Sequence, residues 1–370
     1  MKCIIFPLIL FASLTVIGQD LQSVLAKGKE LVKQQEFKQA KKLFSQAITD
    51  FPQEWEPFFE RAKIRMAQED YYGAIGDFNA SLELSPKNAE IYNQRGLAKF
   101  YLGDNSNAIL DFDTAIILKK NFADAYDNRG FARFNMEDNE GAFFDFSKSI
   151  EYDPKDADKY YNRGVVRAEL EEYIGAIDDY NRSIELDPSD PEVFNNRGVS
   201  RYAIGDFKGA IEDYSKAISM DSTDAVKYDN RAMARSGLDD FDGAIKDYDK
   251  SLELVPADPD TYNLRGVVKY SMKDYSGAID DYNHAIDIDP EEALYYDNRA
   301  AAKNDSDDFK GAIDDYTSSI SLYPSDPEPY YFRAQAKFSY GNNYDGCTDL
   351  KIASEMDLPE ATKLLKEKCN

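Results

Sequence analysis

The chain has 370 residues, with 44 Lys and Arg against 69 Asp and Glu, a formal net charge of −25. That balance argues against a nucleic acid or an anionic membrane as partner, because both are bound by clustered cations. One His and three Cys leave little material for a metal site or a nucleophile–base pair, so composition points away from an enzyme and from any cofactor, while 26 Tyr and 22 Phe beside a single Trp suggest a repeated template.

Residues 1–18, MKCIIFPLILFASLTVIG, place Lys2 ahead of an apolar stretch that ends in small and neutral residues. This order predicts a secretory signal peptide cleaved near Gly18–Gln19, and hence an exported protein, periplasmic or secreted. The alternative is a buried helix or a membrane anchor, but the stretch is broken by Pro7 and falls short of the ~20 residues a span needs. No later segment is apolar for 18 residues in a row, so no membrane span is expected in the mature chain.

From residue 21 the chain reads as one 34-residue unit in ten copies: 21–54, 55–88, 89–122, 123–156, 157–190, 191–224, 225–258, 259–292, 293–326 and 327–360. Gly or Ala recurs at position 8 of the unit, and small residues recur at positions 20 and 27. Apolar spacing predicts a first helix over positions 1–14 and a second over 17–31, with a Gly, Asp or Asn turn between them. Prolines at position 32, such as Pro86 and Pro188, stop the second helix, and Pro191, Pro259 and Pro327 open first helices. Residues 361–370 are expected to form a C-terminal capping helix.

Two further positions stand out. Position 7 is Arg in nine copies: Arg61, Arg95, Arg129, Arg163, Arg197, Arg231, Arg265, Arg299 and Arg333. Position 23 is Asp in the same nine: Asp77, Asp111, Asp145, Asp179, Asp213, Asp247, Asp281, Asp315 and Asp349. The first copy has Lys27 and Leu43 instead. Joint absence favours a buried ladder of Arg–Asp pairs inside repeats; an anion-binding Arg row is the alternative.

With aromatic residues added at position 4 (Tyr92, Tyr126, Tyr160) and position 24 (Phe112, Phe146, Tyr180), this pattern resembles the tetratricopeptide repeat family over essentially the whole mature chain. The resemblance implies an all-α fold, a right-handed superhelical α-solenoid of antiparallel helix pairs, with a concave groove lined by first helices. It implies a binding scaffold for a protein or peptide. Carried over from the family, groove positions 2, 5, 9 and 12 fall here on Glu90, Asn93, Leu97, Asp124, Asp127, Phe131, Asp158, Tyr161, Val165, Glu192, Asn195, Tyr202, Asp229 and Asn263. The family's carboxylate-clamp subgroup uses Lys and Asn at positions 5 and 9 of one repeat, and Lys63 is the only Lys at either position in repeats 2–10, so that mode is not expected.

Acidic positions beside an apolar floor lead us to expect a basic or amphipathic extended segment, centred on repeats 3–8. The same acids could serve only to keep a long array soluble. Charge also separates along the chain: residues 21–54 and 361–370 each carry +2, against −29 over 55–360. Solvated end caps explain this, as does weak self-association of basic ends on acidic bodies. His284 reads as a surface or packed side chain, with a ligand role the alternative. Asp305-Ser306-Asp307-Asp308 reads as a helix–helix turn, because it lacks the full pattern of a calcium loop. Cys3 leaves with the leader, which pairs Cys347 with Cys369 in an oxidising compartment. A turn near Asp357-Leu358-Pro359 would bring the two level on antiparallel helices; two unpaired core cysteines are the alternative.

Overall fold

The computed structural model describes residues 20–369. The expected leader over 1–18 lies outside the described residues, as does Asn370 at the end of the expected cap. Among the described residues every regular element is an α-helix, and no helix is long and apolar enough to cross a membrane. The helices form two compact units that meet in sequence at Leu170–Glu171. The first unit holds α1 (Leu21–Lys33), α2 (Phe37–Asp50), α3 (Glu56–Ala67), α4 (Tyr71–Leu84), α5 (Ala89–Tyr101), α6 (Asn105–Leu118), α7 (Ala123–Phe134), α8 (Asn139–Tyr152) and α9 (Ala157–Glu169). The second holds α10 (Tyr173–Leu186), α11 (Pro191–Ala203), α12 (Phe207–Met220), α13 (Ala225–Ser236), α14 (Phe241–Leu254), α15 (Pro259–Ser271), α16 (Tyr275–Ile288), α17 (Ala293–Asp305), α18 (Phe309–Leu322), α19 (Pro327–Tyr340), α20 (Asn343–Glu355) and α21 (Pro359–Lys368). Twenty-one helices are consistent with ten pairs and one closing helix. Odd-numbered helices up to α19 are the first helices of their repeats.

Each hairpin is specified locally. Position 15, between the two helices, has a left-handed backbone in all ten repeats, and only Gly103, Gly205 and Gly341 are glycines there. Position 16 is usually Asp: Asp70, Asp138, Asp206, Asp240, Asp274 and Asp308 each accept the N–H three residues on and start the second helix. Such a cap contributes about 1 kcal/mol. First helices open likewise, as Asp190 and Asp258 do for α11 and α15.

Position 8 is small because the position-24 ring lies against it. A Cβ on Gly198 would come within 2.7 Å of Tyr214, and one on Gly266 within 2.6 Å of Tyr282. Those rings are closed to water, as are Phe44, Phe78, Phe112 and Phe146. Burying each contributes ~1.5–3 kcal/mol. Within each unit every second helix also packs on the next first helix, so the cores join from repeat to repeat.

The last helix, α21, begins at Pro359, two residues before the expected boundary, since proline suits a first helical position. Ala361, Leu364 and Leu365 seal the end of α20 against Ala334, Leu350 and Ala353. Cys347 and Cys369 are joined by a disulfide beside this cluster.

Candidate partner-binding face of the first helices

The Arg and Asp positions form one layer between the helices of a hairpin. In the eight such pairs that lie within a unit, the Arg Nε and Nη2 both donate to the Asp carboxylate, as Arg61 does to Asp77 at 2.8 and 2.6 Å. Arg95–Asp111, Arg129–Asp145, Arg197–Asp213, Arg231–Asp247, Arg265–Asp281, Arg299–Asp315 and Arg333–Asp349 repeat the fork. The third nitrogen reaches the preceding repeat: Arg197 Nη1 donates to Asn181, and Arg265 Nη1 to Asp249. Most guanidiniums also lie over the ring at position 4, as Arg299 over Tyr296 at 5.5 Å. A second cation, at position 11, completes each carboxylate, for example Arg201 on Asp213 at 2.9 Å and Lys303 on Asp315 at 2.7 Å. Sequence reading missed this cation, although the first repeat has Leu31 there and so lacks all three partners together. These arginines are spent on the scaffold and are not a row open to anions.

Positions 2 and 9 lie seven residues apart and share one face of a first helix. Glu90, Asp124 and Asp158 stand exposed on that face in the first unit, while Leu97, Phe131, Tyr161 and Val165 are half-buried. Phe131 turns its ring edge-on to Phe146, and Tyr161 and Val165 join it around a small apolar cavity of about 210 Å³. In the second unit Tyr202 packs on Phe207 and is half-buried.

Position 5 departs from the expected open groove. Asn93, Asn195 and Asn263 are buried, and each accepts a hydrogen bond from an Asn one repeat on: Asn128, Asn230 and Asn298. An amide bond of this kind ties the buried position-5 oxygen to the next repeat and turns it away from an open groove. Asp127, Asp229 and Asp297 at the same position each keep one carboxylate oxygen closed to water and without a partner. Burial pushes all three up to about 6. Lys159 and Asn162 pull Asp127 back, Ser251 and Thr261 do so for Asp229, and Ser319 alone does so for Asp297, where Asp326 and Glu328 add to the rise.

Position 3 supplies a link that the sequence did not reveal. Lys227 is 1% exposed and reaches back to Glu192 at 2.7 Å, with Asp221 and Asp224 at 3.2 Å. Burial opposes its charge, but the three carboxylates outweigh burial and hold it above the ordinary lysine range. Lys159 does the same for Asp124, at 3.7 Å, and also pairs with Asp153 and Asp156. Tyr295 donates its hydroxyl to Asp260 at 2.6 Å. Position-2 acids of three repeats are therefore tied to the scaffold.

A further opening on this face lies toward the ninth and tenth repeats, past the centre of the expected segment. A cavity of about 500 Å³ is lined by α15, α17, α18 and α19. Its acids are Asp297, Asp305, Asp326 and Glu328, and no Lys or Arg lines it. A hydrogen bond to Asp305, followed by burial, pushes the Tyr270 hydroxyl at its edge up to about 12. The signal was a loss of volume: positions 9 and 12 are Ala301 and Asn304 here, against Phe131 and Phe134 in the fourth repeat. Of the other residues singled out, His284 stacks on Tyr262 and bonds the Asp280 carbonyl, and Asp308 caps α18 within the turn.

Paired helices of fixed length, repeated with side-chain links from one pair to the next, define a helical repeat array. The chain belongs to the tetratricopeptide repeat family, whose repeats match residues 25–89 and 230–293, 166–205, and 191–224. It is similar to the solved structure of YrrB, titled a TPR protein with an unusual peptide-binding site, at 21% identity over 48% of this chain and 92% of that one, with a TM-score of 0.45. It is also similar to a tetratricopeptide repeat protein from Parabacteroides merdae, at 17% identity over 67% and 98% of the two chains (TM-score 0.49). Yeast Tom70 is similar at 13% identity over 94% and 95% (TM-score 0.46). No curated protein matches the chain.

Proposed function

We propose that this protein is a non-catalytic scaffold that holds an extended, basic or amphipathic protein segment along the first helices of its repeats, and that it does so after export. The observation that carries the reading is a set of exposed apolar side chains on four consecutive first helices of the second unit, alternating between positions 9 and 2. Val199, Val226, Val267 and Leu294 are 41%, 58%, 40% and 51% exposed. Exposed apolar surface spread across this face, with Asp260 and Glu328 exposed on it as well, suits a partner that supplies apolar groups and cations. Packed helices lie ~8–10 Å apart and an extended chain rises ~3.3 Å per residue, so each repeat meets about every third residue of the segment. Export is supported by the pattern of residues 1–18 and by the disulfide, which persists in oxidising compartments.

Two labelled 15-residue peptides of one composition test this, one with Arg or Leu at every third position and one scrambled. The patterned peptide should bind at least tenfold more tightly in fluorescence anisotropy, and its affinity should fall as salt rises from 50 to 500 mM. Equal binding of the two, or of an acidic peptide with the same spacing, would move the binding face elsewhere.

A further inference from the structure

We infer that the cavity between α17 and α19 is a subsite for one guanidinium group, the side chain of an arginine in the bound segment. This rests on the reading of the first-helix face given above and names what one part of that face selects.

The cavity lacks a cation of its own. Four carboxylates line it and no Lys or Arg does; the Tyr270 hydroxyl donates to Asp305, but no cation offsets the charges, as Lys159 and Lys227 do among the acids they hold. Two of its side chains are also incomplete. Asp297 Oδ1 and Asn304 Oδ1 are closed to water and have no hydrogen-bond partner. Both residues are on α17, seven positions apart on one face, and both line the cavity. Buried acceptors without donors are uncommon and each one costs free energy, so a side-chain shift that opens either oxygen to a donor in the cavity is favoured.

The walls decide which donor fits. Leu294 and Phe332 line the cavity while remaining half open to solvent, and the Phe332 ring stacks with Tyr316 at 6.2 Å. A flat group can slide against such rings. Guanidinium is flat, weakly hydrated and carries five N–H donors in a fixed fork, so it can serve two separated oxygens at once. An ammonium is a compact, strongly hydrated point and has no flat face to lie against the rings. The arginine stem would cover Ala301, the small residue at position 9 that keeps the space open.

The test uses Nα-acetyl-argininamide, its lysine counterpart and its neutral citrulline counterpart, titrated into the full exported chain by calorimetry at 50 mM salt. The arginine probe should bind saturably, and the other two at least tenfold more weakly. Ala301→Phe and Asn304→Phe each fill the cavity with a ring that the fourth repeat already carries at the same position. Both should abolish binding of the probe while helicity by circular dichroism is kept. Two independent filling variants guard against one of them misfolding. Equal binding of the citrulline probe, equal or tighter binding of the lysine probe, no saturation by 20 mM, or undiminished binding in a folded filled variant would overturn the assignment. Failure of the segment reading has a different signature: patterned and scrambled peptides would bind alike, while the arginine probe still bound to the chain and lost its site in Ala301→Phe.

Discussion

The cavity at α1 and α3 and the cavity at α17 and α19 are built from the same face of the same hairpin, yet their chemistry is opposite. The first, about 360 Å³, sets Lys29, Lys33 and Lys63 over Val32, Phe37 and Ile64. The second sets carboxylates over Leu294 and Phe332. Each holds one poorly hydrated carboxylate. Glu60 is 8% exposed and lies 3.3 Å from Lys29 and 3.1 Å from Lys63. Asp297 has no cation beside it and one sealed oxygen. Position 9 makes the difference, with Lys29 and Lys63 in one cavity against Ala301 and Gln335 in the other. A single template thus yields a site that supplies its own counter-charge and a site that is left needing one.

Breaking the first site should have the largest effect. Lys29→Met with Lys63→Met strands Glu60 and should cost about 2 kcal/mol in urea melts, less than for a fully buried pair because both lysines are half exposed. Adding Glu60→Gln should recover most of that loss; no recovery would mean that the lysines act by packing. At the second site the sign reverses. The folded carboxyl of Asp297 titrates at about 6 against 3.8 for the ordinary group, so the folded chain holds that proton more tightly. Its penalty is therefore absent below about pH 4, grows through the window up to 6, and is full at neutral pH. Asp297→Asn should accordingly stabilise the chain by about 1–2 kcal/mol at pH 7.5, after allowance for partial solvent screening, and by nothing near pH 4. A loss of stability at pH 7.5 would show that the carboxylate is already satisfied.

Transplanting the difference should have a smaller effect on stability. Gln335→Lys puts at position 9 the cation that the first site carries, and should add about 0.5 kcal/mol while lowering argininamide affinity at least tenfold. Unchanged affinity would separate the cavity's charge from its selectivity. Smallest of all, Lys33→Gln removes a lysine with no partner and should move the melt by less than about 0.5 kcal/mol. A larger loss would mean that the first site is balanced by more than Glu60.

The helix pairs and their turns were legible because each repeat states its own local geometry: a small position 8, an aromatic position 24 and an aspartate before the second helix. The Arg–Asp fork was legible from one exception, the first repeat, which lacks both members. Leu31 carried the same message for the second cation and was not read. Arg197→Leu consequently leaves Asp213 with Arg201 and should cost less than a stranded carboxylate would. The buried asparagines were not legible, since whether position 5 faces a partner or the next repeat depends on how helices rotate against one another, and spacing within one repeat does not encode that. The open cavity could have been found by summing side-chain volume at positions 9 and 12, where Ala301 and Asn304 fall well below their counterparts.

The links at position 3 give the array a counting rule. Lys159, Lys227 and Tyr295 are spaced by 68 residues, as are the acids they hold, Asp124, Glu192 and Asp260. Each of these latches joins a repeat to the one before it, and successive latches fall two repeats apart. Excising residues 225–292 would set the Tyr295 hydroxyl against Glu192, another acid, whereas excising 259–292 alone would set it against Val226. Growth or shrinkage of such a gene by two hairpins preserves the latch, and a change by one leaves a buried hydroxyl facing a methyl group. The heritable module of this protein is in that sense four helices long, twice the repeat that its periodicity displays.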